Sequence, residues 1–338
     1  MTPGQLNGAM PTGQSLLAIR DLDLFFDTRQ GPVQALAGVT LDLAPGESLG
    51  IVGETGSGKS MTARAVMGLL PKSGRISGGS IRLKGQELTG LSARALRAIR
   101  GRQVAMVFQE AKRALNPVKT IGSQIMEAAR ARDGVTKAQA WERCLTQLAR
   151  VGLPDPDRVM RSYSFELSGG MAQRVMIAIA TVAGAELIIA DEPTAALDVS
   201  IQAQILDLLN QLRSDLGTAL VMITHDLGVA AENCDRIAVM YLGQIVEIAP
   251  ADRLFQDPRH PYTCALIAAL PSPEQRGRPI GEVRRVAPPP KGYAYADRRL
   301  GRGGVNPDKA QMIEVAEGHF VACQQPLPGA QAADGGRE

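Results

Sequence analysis

Eight consecutive residues, Gly53-Glu54-Thr55-Gly56-Ser57-Gly58-Lys59-Ser60, constrain this chain more than any other stretch of it. The apolar run LGIVG at 49–53 leads into them and SMTARAVMGLL follows. The glycine-rich segment therefore stands between a short buried strand and a helix, the context in which GxxxxGK[ST] is a P-loop rather than a chance turn. Glycines let the backbone wrap closely around phosphates, while successive N–H groups and the helix N-terminus supply donors and positive potential. Lys59 is then the residue expected to reach the β- and γ-phosphates of a nucleotide, and Ser60 a ligand of Mg²⁺.

The rest of the pattern supplies a sheet for that loop. From Leu16 to about Leu43 apolar and polar residues alternate around a turn at Arg29 to Pro32, which predicts antiparallel strands, and SGGSIRLKGQEL predicts another hairpin. QVAMVFQ at 103–109, Leu187 to Ala190, and ALVMITHD at 219–226 read as further strands, and IQAQILDLLNQLRSDLG has helical periodicity. A long polar and helical region separates the first two of these strands. Strands alternating with helices imply an α/β protein with a mainly parallel sheet. At 338 residues, 45% hydrophobic and 4% aromatic, the chain is expected to form one large domain with an appendage. The first fifteen residues read as a flexible leader rather than a signal peptide, and Pro271 to Gly304, dense in Pro, Gly and Arg, as a poorly packed tail.

Several functions are disfavoured. A net charge of +3 without a concentrated basic face does not suit a nucleic-acid binder, and the tail arginines 276, 278, 284, 285, 298 and 299 read as a solvated surface. The most apolar stretch, Val175 to Ala190, is interrupted by Thr181, Gly184 and Glu186 and falls short of the ~20 residues that a membrane span needs. Cys144, Cys234, Cys264 and Cys323 are scattered, with no CxxC pair, so neither a disulfide framework nor a zinc site is expected.

Two more segments carry chemistry. LIIADE at 187–192 sets an acidic pair at the end of a buried strand, where Asp191 can hold Mg²⁺ or its water and Glu192 can polarise an attacking water. Taken alone, the pair would merely end a strand ahead of Pro193. Leu167-Ser168-Gly169-Gly170-Met171 precedes a strongly helical run, so Ser168 reads as an N-cap and the amides after it as free donors that attract phosphate. An ordinary capped helix looks the same.

In this order, Walker A at 53–60, Q-loop Gln109, the signature Leu167 to Met171, Walker B through Glu192 and switch His225 resemble the ATP-binding subunits of ABC transporters, over roughly Leu16 to Pro250. The resemblance implies a P-loop NTPase (RecA-like) core with an antiparallel β subdomain and an inserted α-helical subdomain. The nucleotide-binding domain would span 16–255, the helical subdomain about 110–185, and a C-terminal extension 256–338. It further implies that Asp198 is the D-loop aspartate and that Phe26 stacks on adenine, although Phe25 adjoins it and either ring can be core. His225, otherwise a strand-end histidine with a structural role, would contact the γ-phosphate and work with Glu192. Gln109 would touch Mg²⁺ or water and link the site to a membrane partner. Ser168, Gly169 and Gly170 would face the ATP held by a second subunit, so that two chains clamp two ATP molecules head to tail.

FQEAKRALNPVKTIGSQI at 108–125, ELSGGMAQRVMIAIA at 166–180 and HPYTCALIAALP at 260–271 look like the oligopeptide and dipeptide importer branch, which also includes nickel importers. That branch implies two transmembrane permease subunits, a second ATPase subunit, identical or paralogous, and an extracytoplasmic solute-binding protein. The chain would then be peripheral on the cytoplasmic face of the bacterial inner membrane, meeting a permease coupling helix near Ala111 to Ile121. APPPKG and EGHFVAC resemble the branch's C-terminal extension, which commonly carries a cysteine cluster. Here YAYADRRLGR at 293–302 has no cysteine and only Cys323 remains, whereas a [4Fe–4S] centre takes four thiolates, so no iron–sulfur cluster is expected. The competing reading is a soluble ABC ATPase acting without a permease, such as a phosphonate-metabolism accessory. A regulatory module that does not hydrolyse ATP is disfavoured by Lys59, Asp191, Glu192 and His225. The solute is not legible.

Overall fold

The computed structural model describes residues 15–131, 134–195, 197–270, 286–296 and 310–324. The leader up to residue 14, most of the proline-rich tail and its six arginines lie outside them.

Alternating residues near the N-terminus form two long strands, β1 (Leu17–Thr28) and β2 (Gly31–Leu43), joined by the turn at Arg29 and Gln30. The continuous apolar run that follows is β3 (Ser48–Val52), buried at every residue, and the P-loop carries it into α1 (Lys59–Met67). β4 (Gly74–Leu83) and β5 (Gln86–Glu87) complete an antiparallel sheet of order β2-β1-β4-β5. α2 (Ala93–Ile99) then leads to β6 (Val104–Val107), again wholly buried.

Four helices come next: α3 (Ala111–Ala114), α4 (Ile121–Ala129), α5 (Lys137–Arg150) and α6 (Pro156–Arg161). Their starts are encoded locally. Thr120 caps α4, a capping box of Thr136 and Gln139 starts α5, and Asp155 with Pro156 starts α6. Spacings of four residues, Ile121-Ile125-Ala129 and Ala140-Cys144-Leu148, put their apolar stripes in one cluster with Val175 and Ala172 of α7 (Gly169–Thr181). Burial pushes the Cys144 thiol up to about 11, as befits a packing residue.

The chain then returns to the sheet through β7 (Leu187–Asp191), α8 (Val199–Leu216), β8 (Ala219–Thr224), α9 (Leu227–Asn233), β9 (Arg236–Tyr241) and β10 (Gln244–Pro250). β9, β3, β8, β7 and β6 lie side by side in that order, all parallel, and β10 adds an antiparallel strand beside β9. Strands buried on both faces read as unbroken apolar runs rather than alternations, which is why β3, β7 and β8 stand out in the sequence.

After α10 (Ala251–Gln256) and α11 (Pro261–Ala268), the described parts of the tail supply β11 (Ala294–Tyr295), β12 (Gln311–Ala316) and β13 (His319–Gln324). β13 is buried at every position and pairs antiparallel with β10, Glu247 opposite Val321 and Ile248 opposite Phe320. Phe320 enters the core shared with β1 and β2. Six residues without alternation, HFVACQ, carry no periodic signal, so this strand is invisible to a pattern reading. Among the described residues no helix is long and apolar enough to cross a membrane.

Candidate functional site

The P-loop keeps its shape because its neighbours leave no room for side chains at two of its glycines. A Cβ at Gly53 (φ +155°) would lie 2.1 Å from the Met240 carbonyl oxygen; at Gly58 (φ +108°) it would meet Leu36 Cδ2 and Met240 Cε, both at 2.8 Å. β9 and β2 thus press on the loop from two sides, and Gly243 N–H donates to the Ser57 carbonyl (2.8 Å). Gly58 starts α1 in a left-handed conformation and offers no side-chain cap, so the first amides of α1 remain donors for an anion. Lys59 is buried, and its ammonium donates to the carbonyls of Gly53 (2.7 Å) and Glu54 (2.9 Å). Burial lowers its pKa, against the pull of Glu192, Asp191 and Glu54.

Beside it, the Ser60 hydroxyl donates to Asp191 Oδ1 at 2.8 Å. Asp191 ends β7; burial raises its pKa, opposed by the Ser60 bond. Hydroxyl and carboxylate make an oxygen pair of the kind that a hard cation such as Mg²⁺ takes. Glu192 follows with φ +46°, an uncommon conformation for a non-glycine residue, stabilised by its N–H bond to the Ile223 carbonyl of β8 (2.9 Å). Its carboxylate sits between two groups: Oε2 accepts from Gln109 Nε2 at 2.9 Å, and Oε1 faces His225 Nδ1 at 3.7 Å. Gln109 follows β6, Glu192 follows β7 and His225 follows β8, so three adjacent parallel strands deliver them to one edge. The P-loop follows β3 at that same carboxyl end, where open α/β sheets bind ligands.

The other expected site residues stand apart from this group. Ser168 caps α7, its Oγ accepting from Met171 N–H at 3.2 Å, and Gly169 and Gly170 form the first turn. A Cβ at Gly170 would come 3.0 Å from Ile201 Cγ2, so α8 packs close to that turn. Asp198 stands at the start of α8 without bonding the helix through its side chain. Among the described residues no hydrogen bond joins Ser168, Gly169, Gly170 or Asp198 to the P-loop, Glu192 or His225. Phe26 lies on β1 opposite Val33, half-buried on the core and against Gly74, whereas Phe25 carries the Arg75 guanidinium 5.5 Å from its ring centre.

One contact has no signal in the sequence. Tyr262, in α11, accepts the Glu54 N–H at 3.2 Å through its hydroxyl and stacks on Tyr241 with ring centres 4.2 Å apart. Only its membership of HPYTCALIAALP singles it out, and nothing local connects that segment with a loop some two hundred residues earlier. Among the described residues no group of three or more His, Cys, Asp or Glu side chains is arranged to hold a metal, and Cys323 is fully buried.

The chain matches the family model described as ABC transporter over residues 36–195, and the one described as Oligopeptide/dipeptide transporter, C-terminal region over 246–302. It is 45% identical to a probable peptide ABC transporter ATP-binding protein, y4tR, of Sinorhizobium fredii, over 93% of this chain and 96% of that one. It is 43% identical to the oligopeptide transport ATP-binding protein OppD of Bacillus subtilis, over 90% of this chain and 87% of that one. Among solved structures it resembles the dimeric ATP-binding cassette MJ0796 bound to ADP and Pi, with a TM-score of 0.63 and 26% identity, covering 70% of this chain and 98% of that one.

Proposed function

This chain belongs to the ATP-binding subunits of ABC transporters, and we propose that it hydrolyses ATP to drive import of oligopeptides or dipeptides through a membrane permease. The observation that carries the hydrolytic reading is the Glu192 carboxylate, held between Gln109 and His225 next to the Ser60–Asp191 pair. The peptide reading is supported by the curated relatives and by the C-terminal region that matches at 246–302.

In this reading the P-loop amides and the start of α1 bind the phosphates of ATP. Lys59 keeps the Gly53 carbonyl and turns its other N–H donors to β- and γ-phosphate oxygens, whose negative charge favours the ammonium that burial disfavours. Ser60 and Asp191, with the amide oxygen of Gln109, are the oxygens that would hold Mg²⁺, which when bound would neutralise charge on the phosphate oxygens. Glu192 orients and polarises the attacking water; the water oxygen bonds to the γ-phosphorus as the bond to the bridging oxygen breaks, and ADP departs with that electron pair. The water's proton passes toward Glu192, and His225 contacts the γ-phosphoryl oxygens. Phe26 stacks on the adenine.

Among the described residues Ser168, Gly169, Gly170 and Asp198 have no bond to the P-loop of their own chain, and they are assigned to the ATP of a second ATPase subunit, in a head-to-tail pair. The remaining partners are two permease subunits and an extracytoplasmic binding protein, with this chain on the cytoplasmic face of the bacterial inner membrane. The test is ATPase assay of the reconstituted transporter with its binding protein: oligopeptides or dipeptides should stimulate turnover, and stimulation by nickel chelates alone would overturn the peptide assignment. In the same assembly Glu192→Gln should retain ATP binding while turnover falls by about 100-fold or more; undiminished hydrolysis would remove Glu192 from its role.

A further inference from the structure

We propose that Tyr262, in the C-terminal extension, is a positioning residue for the P-loop lysine: its hydroxyl fixes the Gly53–Glu54 peptide that holds Lys59. The inference rests on the ATP-site reading above and names a further residue for that site.

The Gly53 carbonyl and the Glu54 N–H belong to one planar peptide unit and point to opposite sides of it. Lys59 Nζ binds the carbonyl end at 2.7 Å, and Tyr262 Oη accepts from the N–H end at 3.2 Å. Rotation of this peptide breaks both bonds together. Gly53 has no side chain to resist that rotation, and its φ of +155° is open to glycine but rarely to other residues. The phenol is therefore a brake on the part of the loop that places the ammonium.

Tyr262 is itself held on both sides. Its ring stacks on Tyr241 at the end of β9 (4.2 Å, interplanar angle 28°). Its backbone N–H donates to His260 Nδ1 (3.2 Å), and the His260 backbone N–H donates to the fully buried Glu247 at 2.9 Å. The extension thus has a fixed point on the core sheet and a fingertip on the nucleotide loop. A tyrosine that served only to fill space would not need its hydroxyl on a P-loop amide.

The variant that removes the hydroxyl and keeps the stacked ring is Tyr262→Phe. In the purified full-length chain, with Mg²⁺ present, mant-ATP binding is expected to weaken about threefold to tenfold, the range for loss of one hydrogen bond. The KM for ATP should rise by a similar factor while kcat at saturating ATP and the melting temperature hold. Tyr262→Ala, which also loses the stack, should lower both affinity and melting temperature. Wild-type affinity in Tyr262→Phe overturns the inference, as does a loss matched by a fall in melting temperature, because that marks a purely structural role. A wild-type chain that fails to bind mant-ATP overturns the ATP-site reading itself, so the two failures are distinguishable.

Discussion

Replacing His319 by alanine should cost this protein more stability than any surface change, because it strands a buried carboxylate. Glu247 and His319 are both fully buried. Glu247 Oε1 takes His319 Nε2 at 2.7 Å and the Arg259 N–H at 2.8 Å; Oε2 takes the His260 N–H at 2.9 Å. With a carboxylate opposite it, Nε2 carries the ring hydrogen, and His319 Nδ1 is left buried without a partner among the described residues. Removing one partner of a buried pair typically costs 3–5 kcal/mol; since two backbone amides remain on Glu247, about 2–4 kcal/mol is expected. At about 2–4 °C per kcal/mol for a large domain, the melting temperature should fall by roughly 4–16 °C. Urea titration at pH 7 measures the free energy directly, and His319→Gln, which restores an N–H donor, should recover part of it. A loss under about 1 kcal/mol would refute the reasoning, as would equal losses in His319→Ala and His319→Gln.

Other outcomes follow from the same geometry. Gly53→Ala should abolish nucleotide binding and lower stability, since its Cβ would sit 2.1 Å from the Met240 carbonyl oxygen; equilibrium binding and a thermal melt check it. Asp235 has its pKa lowered: burial works to raise it, but bonds from the Ser48 N–H and hydroxyl and from Arg213 outweigh burial. Its contribution to stability is therefore present above the ordinary aspartate value of roughly 3.9 and is lost as pH falls through the lower folded value. Asp235→Asn should accordingly be less stable than wild type at pH 7, with the gap closing in acid; a gap that widens toward low pH would contradict the assignment. Anaerobically purified protein should lack the visible absorption of an iron–sulfur centre, and about four irons per chain would overturn that expectation.

How much of this was legible beforehand depends on whether the signal is local. β3, the P-loop and α1 are a contiguous apolar run, glycine turn and helix, and the Ser168 cap is a single hydroxyl ahead of a helical repeat, so both can be read from neighbouring residues. The convergence of Gln109, Glu192 and His225 is not local, because it needs the order of β6, β7 and β8 in the sheet, which spacing alone does not give; the family resemblance supplied it. Phe25 and Phe26 are adjacent and equally aromatic, and only the register of β1 against β4 separates the ring under Arg75 from the ring on the core. The sequence flagged the segments of β13 and Tyr262 only by family resemblance; the pairing of β13 with β10 and the contact of Tyr262 with Glu54 depend on partners far away in the chain.

Pairing of β13 with β10 also decides which side of the large sheet is safe to leave in water. Without residues 310–324, β10 would present a row of unpaired N–H and C=O groups beside Ile248, whose cross-strand partner Phe320 would be gone. Such an open edge is a template for other chains. β12 and β13, which pair antiparallel, therefore guard this edge against self-association, and shortening the chain there should cost solubility as well as stability.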